Sequence, residues 1–341
     1  MKASCLHFFR RLACAAALAA TLALPLAMPL AQARAGEISD FERSFDRTFG
    51  KDLRAPQTYA TPLEEQIAGL ADAGQGRIGV AAVDLNSGWA LDVLGAQPFP
   101  LASTSKIAIA ATFLEGVEQG RWSLTSEFPL MIPVKSERFS SARAPVREGE
   151  YLPVIELIEL MLARSSNPAT DALLAVVGGP PAVNNWVRRA GIRDFRIDRD
   201  IATLVRDDGE VDPATTIDQR DSATPLAMVQ LLAGLHRGDW LGEQSRSVIL
   251  SAMHRCSTGK RRIPALLPET VQVAHKTGSL SNTSSDVGII KMPDGRALAV
   301  AIYVTGQGGK REREDRIASI ARALYDGYLL TPQRYRASAA R

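Results

Sequence analysis

Ser103-Thr104-Ser105-Lys106 sets a hydroxyl and an amine three residues apart. On a helix the two side chains share one face about a turn apart, so a desolvated, partly neutral amine can take the hydroxyl proton. The chemistry is acyl transfer through a serine ester. Such a pair is a weak signal alone, and the chain holds two, the other being Ser257-Thr258-Gly259-Lys260. Context separates them. Ser103 follows Phe99-Pro100-Leu101 and leads into an apolar run with Ile107, Ile109, Ala111, Phe113, Leu114 and Val117, which puts its hydroxyl at a helix N-terminus, where backbone N–H groups can face a developing oxyanion. Ser257 is followed by glycine and then Lys260-Arg261-Arg262, a helix exit that would leave its lysine in water. An N-capping serine is the alternative for Ser103 on local grounds.

Two further stretches follow in order. Ser165-Ser166-Asn167 lies between two apolar helical runs, a loop position that projects a hydroxyl and an amide. His275-Lys276-Thr277-Gly278-Ser279 follows the strand-like Val271-Gln272-Val273-Ala274, and glycine there permits close approach of a substrate backbone. Taken singly, these read as a cap and a strand end; the ordered triple is far less readily supplied by chance.

The elements that must position these residues fall into two kinds. Gly76 to Leu85, the turn Asn86-Ser87-Gly88 and Trp89 to Val93 form one hairpin; Asp286 to Lys291, Pro293-Asp294-Gly295 and Ala297 to Thr305 form another. A helix over 313–330 follows. Between the hairpins the periodicity is helical, over 103–119, 152–163, 170–177, 225–236 and 243–254, with Gly178-Gly179-Pro180 as a stop. The expected fold is α/β: an antiparallel sheet built from both termini and flanked by helices, with an all-α insert. The lobes are 36–98 with 259–341, and 99–258. The acid-rich stretch from Arg199 to Thr224 lacks periodicity and reads as a functional loop.

The first 35 residues are a signal peptide: Lys2, Arg10 and Arg11 precede the apolar run Leu12 to Leu30, and Ala33-Arg34-Ala35 fits cleavage before Gly36. A periplasmic or secreted protein without a membrane anchor after processing is expected. Cleavage removes Lys2, Arg10, Arg11 and Arg34 and no acids, which takes the formal charge from +3 to −1. No basic face for nucleic acid remains. Lys310 to Arg316 mixes both signs and reads as a solvated helix start. The histidines and cysteines form no metal-ligand pattern. Cys256 has no disulfide partner after processing and reads as a buried structural cysteine; a reactive one would need a base, and His254 is two residues away.

Ser-x-x-Lys, Ser-x-Asn and Lys-Thr-Gly in this order resemble the motif set of active-site serine β-lactamases and penicillin-binding proteins. Phe99 to Thr104, Gly178-Gly179-Pro180, Arg196 to Arg199, Arg220 to Pro225 and Asp286 to Ile290 are similar to class A β-lactamase signatures. The resemblance spans nearly all of the chain after residue 35. It implies a serine β-lactamase/DD-peptidase-like fold and no cofactor. Ser103 is the implied nucleophile, Lys106 its proton acceptor, and Ser165 the relay to the departing nitrogen. Asn167 would hold the substrate's side-chain amide; Lys276, Thr277 and Ser279 its carboxylate. Gly278 lies within the motif, the N–H groups of Ser103 and Ser279 would form the oxyanion hole, and Arg199 and Asp221 the ion pair closing the loop.

The pattern breaks in that loop. Class A enzymes carry a water-activating glutamate shortly after the arginine, whereas here Asp200-Ile201-Ala202 follows Arg199, with Ile201 where the glutamate is expected. The asparagine that supports that glutamate is Asp171 here, a possible replacement base; Asp200, Asp207, Asp208, Glu210 and Asp212 could instead swing in, or all six carboxylates could be solvated or ion-paired. Ser166 stands where many relatives have aspartate, and Arg143 where the pocket rim carries an aromatic. The expected activity is β-lactam ring opening by a monomeric cyclic-amide hydrolase through a Ser103 acyl-enzyme. The alternatives are a D-alanyl-D-alanine peptidase acting on a peptidoglycan-like peptide and a slowly deacylating β-lactam sensor or trap.

Overall fold

A computed structural model of the chain describes residues 61–330. The expected signal peptide, its cleavage site and the first residues of the 36–98 segment lie outside the described residues.

In chain order the helices are α1 (Pro62–Leu70), α2 (Lys106–Glu118), α3 (Val154–Ala163), α4 (Asn167–Val177), α5 (Pro180–Arg189), α6 (Ile201–Arg206), α7 (Pro225–Arg237), α8 (Glu243–His254) and α9 (Lys310–Leu330). The strands are β1 (Gly76–Asp84), β2 (Ala90–Val93), β3 (Phe99–Pro100), β4 (Glu127–Pro133), β5 (Val146–Pro153), β6 (Phe195–Arg196), β7 (Ser222–Ala223), β8 (Gln272–Leu280), β9 (Thr283–Lys291) and β10 (Ala297–Gly306). Five of them form an antiparallel sheet in the order β2-β1-β10-β9-β8. The first hairpin strand thus lies against the last strand of the chain, with Gly76 opposite Gly306, so the sheet is built from both ends as expected.

The central strand β10 is buried on both faces, which explains its unbroken apolar run. Its side chains still alternate. Leu298, Val300, Ile302 and Val304 join Ile78, Val80, Ile317, Ile320 and Leu324 in one core. Ala299, Ala301 and Tyr303 face the other core, with Phe99, Met228 and the helices α2 to α5. Small alanines on that side allow α7 to pack closely. Helix α2 is apolar nearly all round and lies in the middle of this second core. Its Ile107, Ile109, Phe113 and Leu114 are fully buried, at about 1.5–3 kcal/mol each.

Several elements differ from the sequence expectation. Helix α2 begins at Lys106, because residues 102–105 form a tighter 3-10 turn. Helix α4 begins at Asn167, since the Ser166 hydroxyl accepts the Ala169 N–H and Pro168 presets the first turn. The glycines before Pro180 stop α4, with Gly178 at φ +104°, and the prolines then start α5. The stretch 199–224 is not wholly irregular: Asp200 caps the short helix α6, and Ser222–Ala223 pairs with β3 and β6. The β4–β5 hairpin and α1, which opens on a Thr61/Glu64 capping box, were also absent from the expectation. Lys310 to Arg316 does start a helix, but Arg313 and Glu314 are buried rather than solvated.

Candidate active site

Ser103 sits inside the 3-10 turn Ala102–Ser105 rather than capping it; the cap position is Leu101, with no side-chain bond. Thr104 Oγ1 donates to Leu101 O at 2.6 Å and Ser105 Oγ to Ala102 O at 2.8 Å. The neighbouring hydroxyls are thus folded back into the turn, while Ser103 is half-buried. The buried Ala102 has φ +47°, a left-handed conformation that costs an alanine about 1–2 kcal/mol. Two contacts hold it there. Leu101 N–H donates to Asp221 O at 2.8 Å. Gly278 lies so close that a Cβ on it would stand 3.0 Å from Leu101 O and 3.1 Å from Ala102 Cβ. The absent side chain at Gly278 makes room first for Ser285, whose Oγ a Cβ would overlap, and then for the nucleophile's own turn, a different reason from the substrate approach expected of it.

Lys106 Nζ is fully buried and donates to Ser165 O at 2.8 Å and Asn167 Oδ1 at 2.8 Å, with Ser165 Oγ at 3.3 Å. Burial, then the neighbouring Lys276, pull its pKa well below the ordinary lysine range, against the opposing pull of Asp171. Lys276 is equally buried and donates to Ser165 Oγ at 2.9 Å and Thr277 O at 2.9 Å. Burial lowers its pKa to about 8. The Ser165 hydroxyl therefore lies between both lysine nitrogens. Its backbone is left-handed, φ +59°, at the bend between α3 and α4.

Strand β8 is the sheet edge and carries the third motif. Thr277 Oγ1 lies 2.6 Å from Thr258 Oγ1, and the exposed Ser279 accepts from Arg262 Nη2 at 2.7 Å. Arg262, 2% exposed, also donates to Gly278 O, Ser285 O and Glu314. Thr258 and Arg262 belong to the stretch read only as a helix exit. Nothing periodic marks them; their partners are 19 and 16–52 residues away. Cys256 is half-buried, and its imidazole neighbour is His275 rather than His254.

The loop is closed by Arg199 Nε–Asp221 Oδ2 at 2.7 Å, and Asp221 Oδ1 accepts the N–H groups of Asp198 and Arg199 at 2.7 and 3.1 Å. The other loop carboxylates are engaged. Asp200 caps Thr203, Asp207 pairs with Arg206, Asp208 accepts the Ser281 N–H, Glu210 binds Arg220 and Asp212 accepts from Asn282. Asp171 is buried and holds the loop directly, accepting Ile201 N–H at 2.7 Å and Ala202 N–H at 2.8 Å. Burial raises its pKa to about 6, against those two bonds. Arg143 is exposed.

The sequence profile described as "Beta-lactamase enzyme family" matches residues 62–328. The chain belongs to the β-lactamase enzyme family. It is 33% identical over 275 residues to β-lactamase CTX-M-8 of Citrobacter amalonaticus, covering 79% of this chain and 90% of that one. To the extended-spectrum β-lactamase PER-1 of Pseudomonas aeruginosa it is 27% identical, over 77% of this chain and 86% of that one. Among solved structures, a β-lactamase from Chitinophaga pinensis superposes with a TM-score of 0.69 at 27% identity, covering 79% of this chain and all of that chain. The structure of PBP-A gives 0.67 at 25%, over 81% and 98%. The fold is thus the serine β-lactamase/penicillin-binding fold. Ile201, at the position where the sequence leads one to expect a glutamate, has its own N–H held by Asp171.

Proposed function

We propose that this chain opens β-lactam rings through an acyl-enzyme on Ser103. The observation that carries the reading is the Ser165 hydroxyl held between two buried lysines beside the strained Ser103 turn. A neutral Lys106 amine has two hydrogens, which its two 2.8 Å bonds to Ser165 O and Asn167 Oδ1 would use. Its lone pair, which meets Ser165 Oγ at 3.3 Å, would take the Ser103 proton and return one through Ser165. Ser103 Oγ attacks the lactam carbonyl, the C–N bond breaks, and Ser165 passes a proton to the nitrogen. The N–H groups of Ser103 and Ser279 face the oxyanion. Lys276, Thr277 and Ser279, the last oriented by Arg262, bind the substrate carboxylate, and Asn167 binds the side-chain amide.

For the second half of the cycle, Asp171 serves as the base toward water. Its oxygens keep lone pairs beyond the two loop N–H bonds, and its pKa of about 6 leaves it ionised at neutral pH yet basic enough to take a proton. A second reading, a penicillin-binding protein or D-alanyl-D-alanine peptidase that deacylates β-lactams slowly, is favoured by Ile201 in the glutamate's place. Export after cleavage near Ala35 and action as a periplasmic or secreted monomer complete the proposal.

The test is a chromogenic cephalosporin followed by absorbance and intact mass. Steady turnover supports hydrolysis, whereas a stable adduct supports the slow-deacylation reading. Release of D-alanine from a peptidoglycan-like peptide supports the peptidase, and a Ser103→Ala variant acylated as readily as the parent overturns the Ser103 assignment.

A further inference from the structure

Beneath the loop a cavity of about 60 Å³ opens between the start of β1, the β3 segment and the stretch 204–221, and none of the motif residues lines it. At about 10–15 Å³ per water it has room for about four to six water-sized atoms. Arg77 forms one wall. It is 8% exposed, and its Nη1 donates to Gln97 Oε1 at 3.2 Å and Pro98 O at 3.1 Å. Nε and Nη2, with three N–H groups between them, meet no acceptor among the described residues. Neither nitrogen is sealed off as a buried orphan, so both open onto the cavity that Arg77 lines. The Phe99 ring lies 4.3 Å from Cζ and fixes the plane of the fork. Burial lowers the Arg77 pKa to about 10, and no neighbouring carboxylate opposes that shift. Thr283, 1% exposed, also lines the cavity, and its hydroxyl lacks the partner that buried hydroxyls ordinarily have.

The loop wall carries the opposite charge. Arg199 pairs there with Asp221 at 2.7 Å, while Arg220 is shared between Asp218 at 2.7 Å and Glu210 at 2.9 Å. Asp208 is bonded to the Ser281 N–H, and Asp207 is matched by Arg206. Asp208, Glu210, Asp218 and Asp221 against Arg199 and Arg220 leave two negative charges over on that wall. A simple anion would suit Arg77 and be repelled by the loop, and a simple cation the reverse. A small molecule with both charges suits both walls.

The geometry points to a binding site for a small zwitterionic amino acid of glycine or alanine size, its carboxylate on the Nε–Nη2 fork of Arg77 and its ammonium toward the loop carboxylates. The fork presents two parallel N–H donors, which match a carboxylate bidentately. The occupant joins the two supports of the nucleophile's turn. Arg77 holds Pro98 O, and Asp221 O holds the Leu101 N–H at 2.8 Å, both just ahead of Ser103 in the chain. Binding therefore ties the closure of the loop to the segment that leads into the turn.

The experiment titrates glycine into the protein lacking residues 1–35 and reads saturation transfer to its methylene protons by NMR, with acetate and ethylammonium as single-charge controls. Expected is a hyperbolic isotherm for glycine, at least tenfold tighter than for either control. Arg77→Lys keeps the charge and loses the fork, and should weaken glycine at least fivefold. Glu210→Gln, on the exposed part of the loop, should weaken glycine at least threefold and leave acetate no weaker, and it keeps the test alive should Arg77→Lys not fold. Ser103→Ala should bind glycine as the parent does, so the site stands or falls apart from the reading of Ser103. No saturable signal, acetate binding as tightly as glycine, or glycine binding unchanged in Arg77→Lys, as it would be if held at Lys276 instead, would each overturn the proposal.

Discussion

The chain holds two Ser-x-x-Lys stretches, and they live in opposite environments. At the first, Lys106 is 0% exposed and within reach of Ser165, Asn167 and a second buried lysine. At the second, Ser257 is spent on Ala163 O at 3.0 Å, at the exit of α8, and Lys260 is exposed. The same four-residue spacing gives a desolvated base in one place and a solvated ammonium in the other. What separates them is the apolar core that closes over α2 and the sheet edge that delivers Lys276. Yet the second stretch is not inert: through Thr258 and Arg262 it braces the strand opposite the first.

The sharpest way to break this contrast is at the hydroxyls. Ser103→Ala is expected to lower acylation on the order of 10³-fold or more, and Ser257→Ala to stay within about twofold, both read as the rate of adduct formation by intact mass. Equal losses would collapse the distinction. At the lysines, Lys106→Arg keeps a cation that cannot act as base, so acylation should fall about 10²-fold, with Lys260→Arg unchanged.

Asp171→Asn is expected to slow deacylation about tenfold with acylation preserved, and the parent deacylation rate should rise with pH through about 6 as Asp171 ionises. A pH-independent rate there would reassign Asp171 to holding the loop alone. Lys276 gives the opposite sign. Its folded pKa is lowered to about 8, so the ammonium is present below that pH and lost above it. KM for an anionic β-lactam should climb about tenfold between pH 7 and 9. A smaller loss is expected of Thr258→Val, which removes one hydroxyl bond to Thr277 and should raise KM about fivefold, in keeping with a bond worth about 1 kcal/mol.

The legible part of the molecule was local. Both hairpins, the helices over 225–237 and 243–254, and the three motifs announce themselves through periodicity, turn residues and order. The Arg199–Asp221 ion pair was legible only by resemblance, since 22 residues separate the partners. The short helix α6 was hidden because its cap, Asp200, and its anchor, Asp171, lie on different segments. Arg262 was hidden because its burial depends on Glu314 and on the β8 and β9 carbonyls, not on its neighbours.

Spacing and side-chain type by themselves determined which serine precedes an apolar helix and which strands pair as hairpins, because each is a property of adjacent residues; that a glutamate is missing after Arg199 follows only from the resemblance. Tertiary structure alone decided the downward pKa shifts of the two buried lysines and the engagement of the acids in the loop. Desolvation and charge proximity are set by what packs across the chain, and sequence distance carries no measure of them.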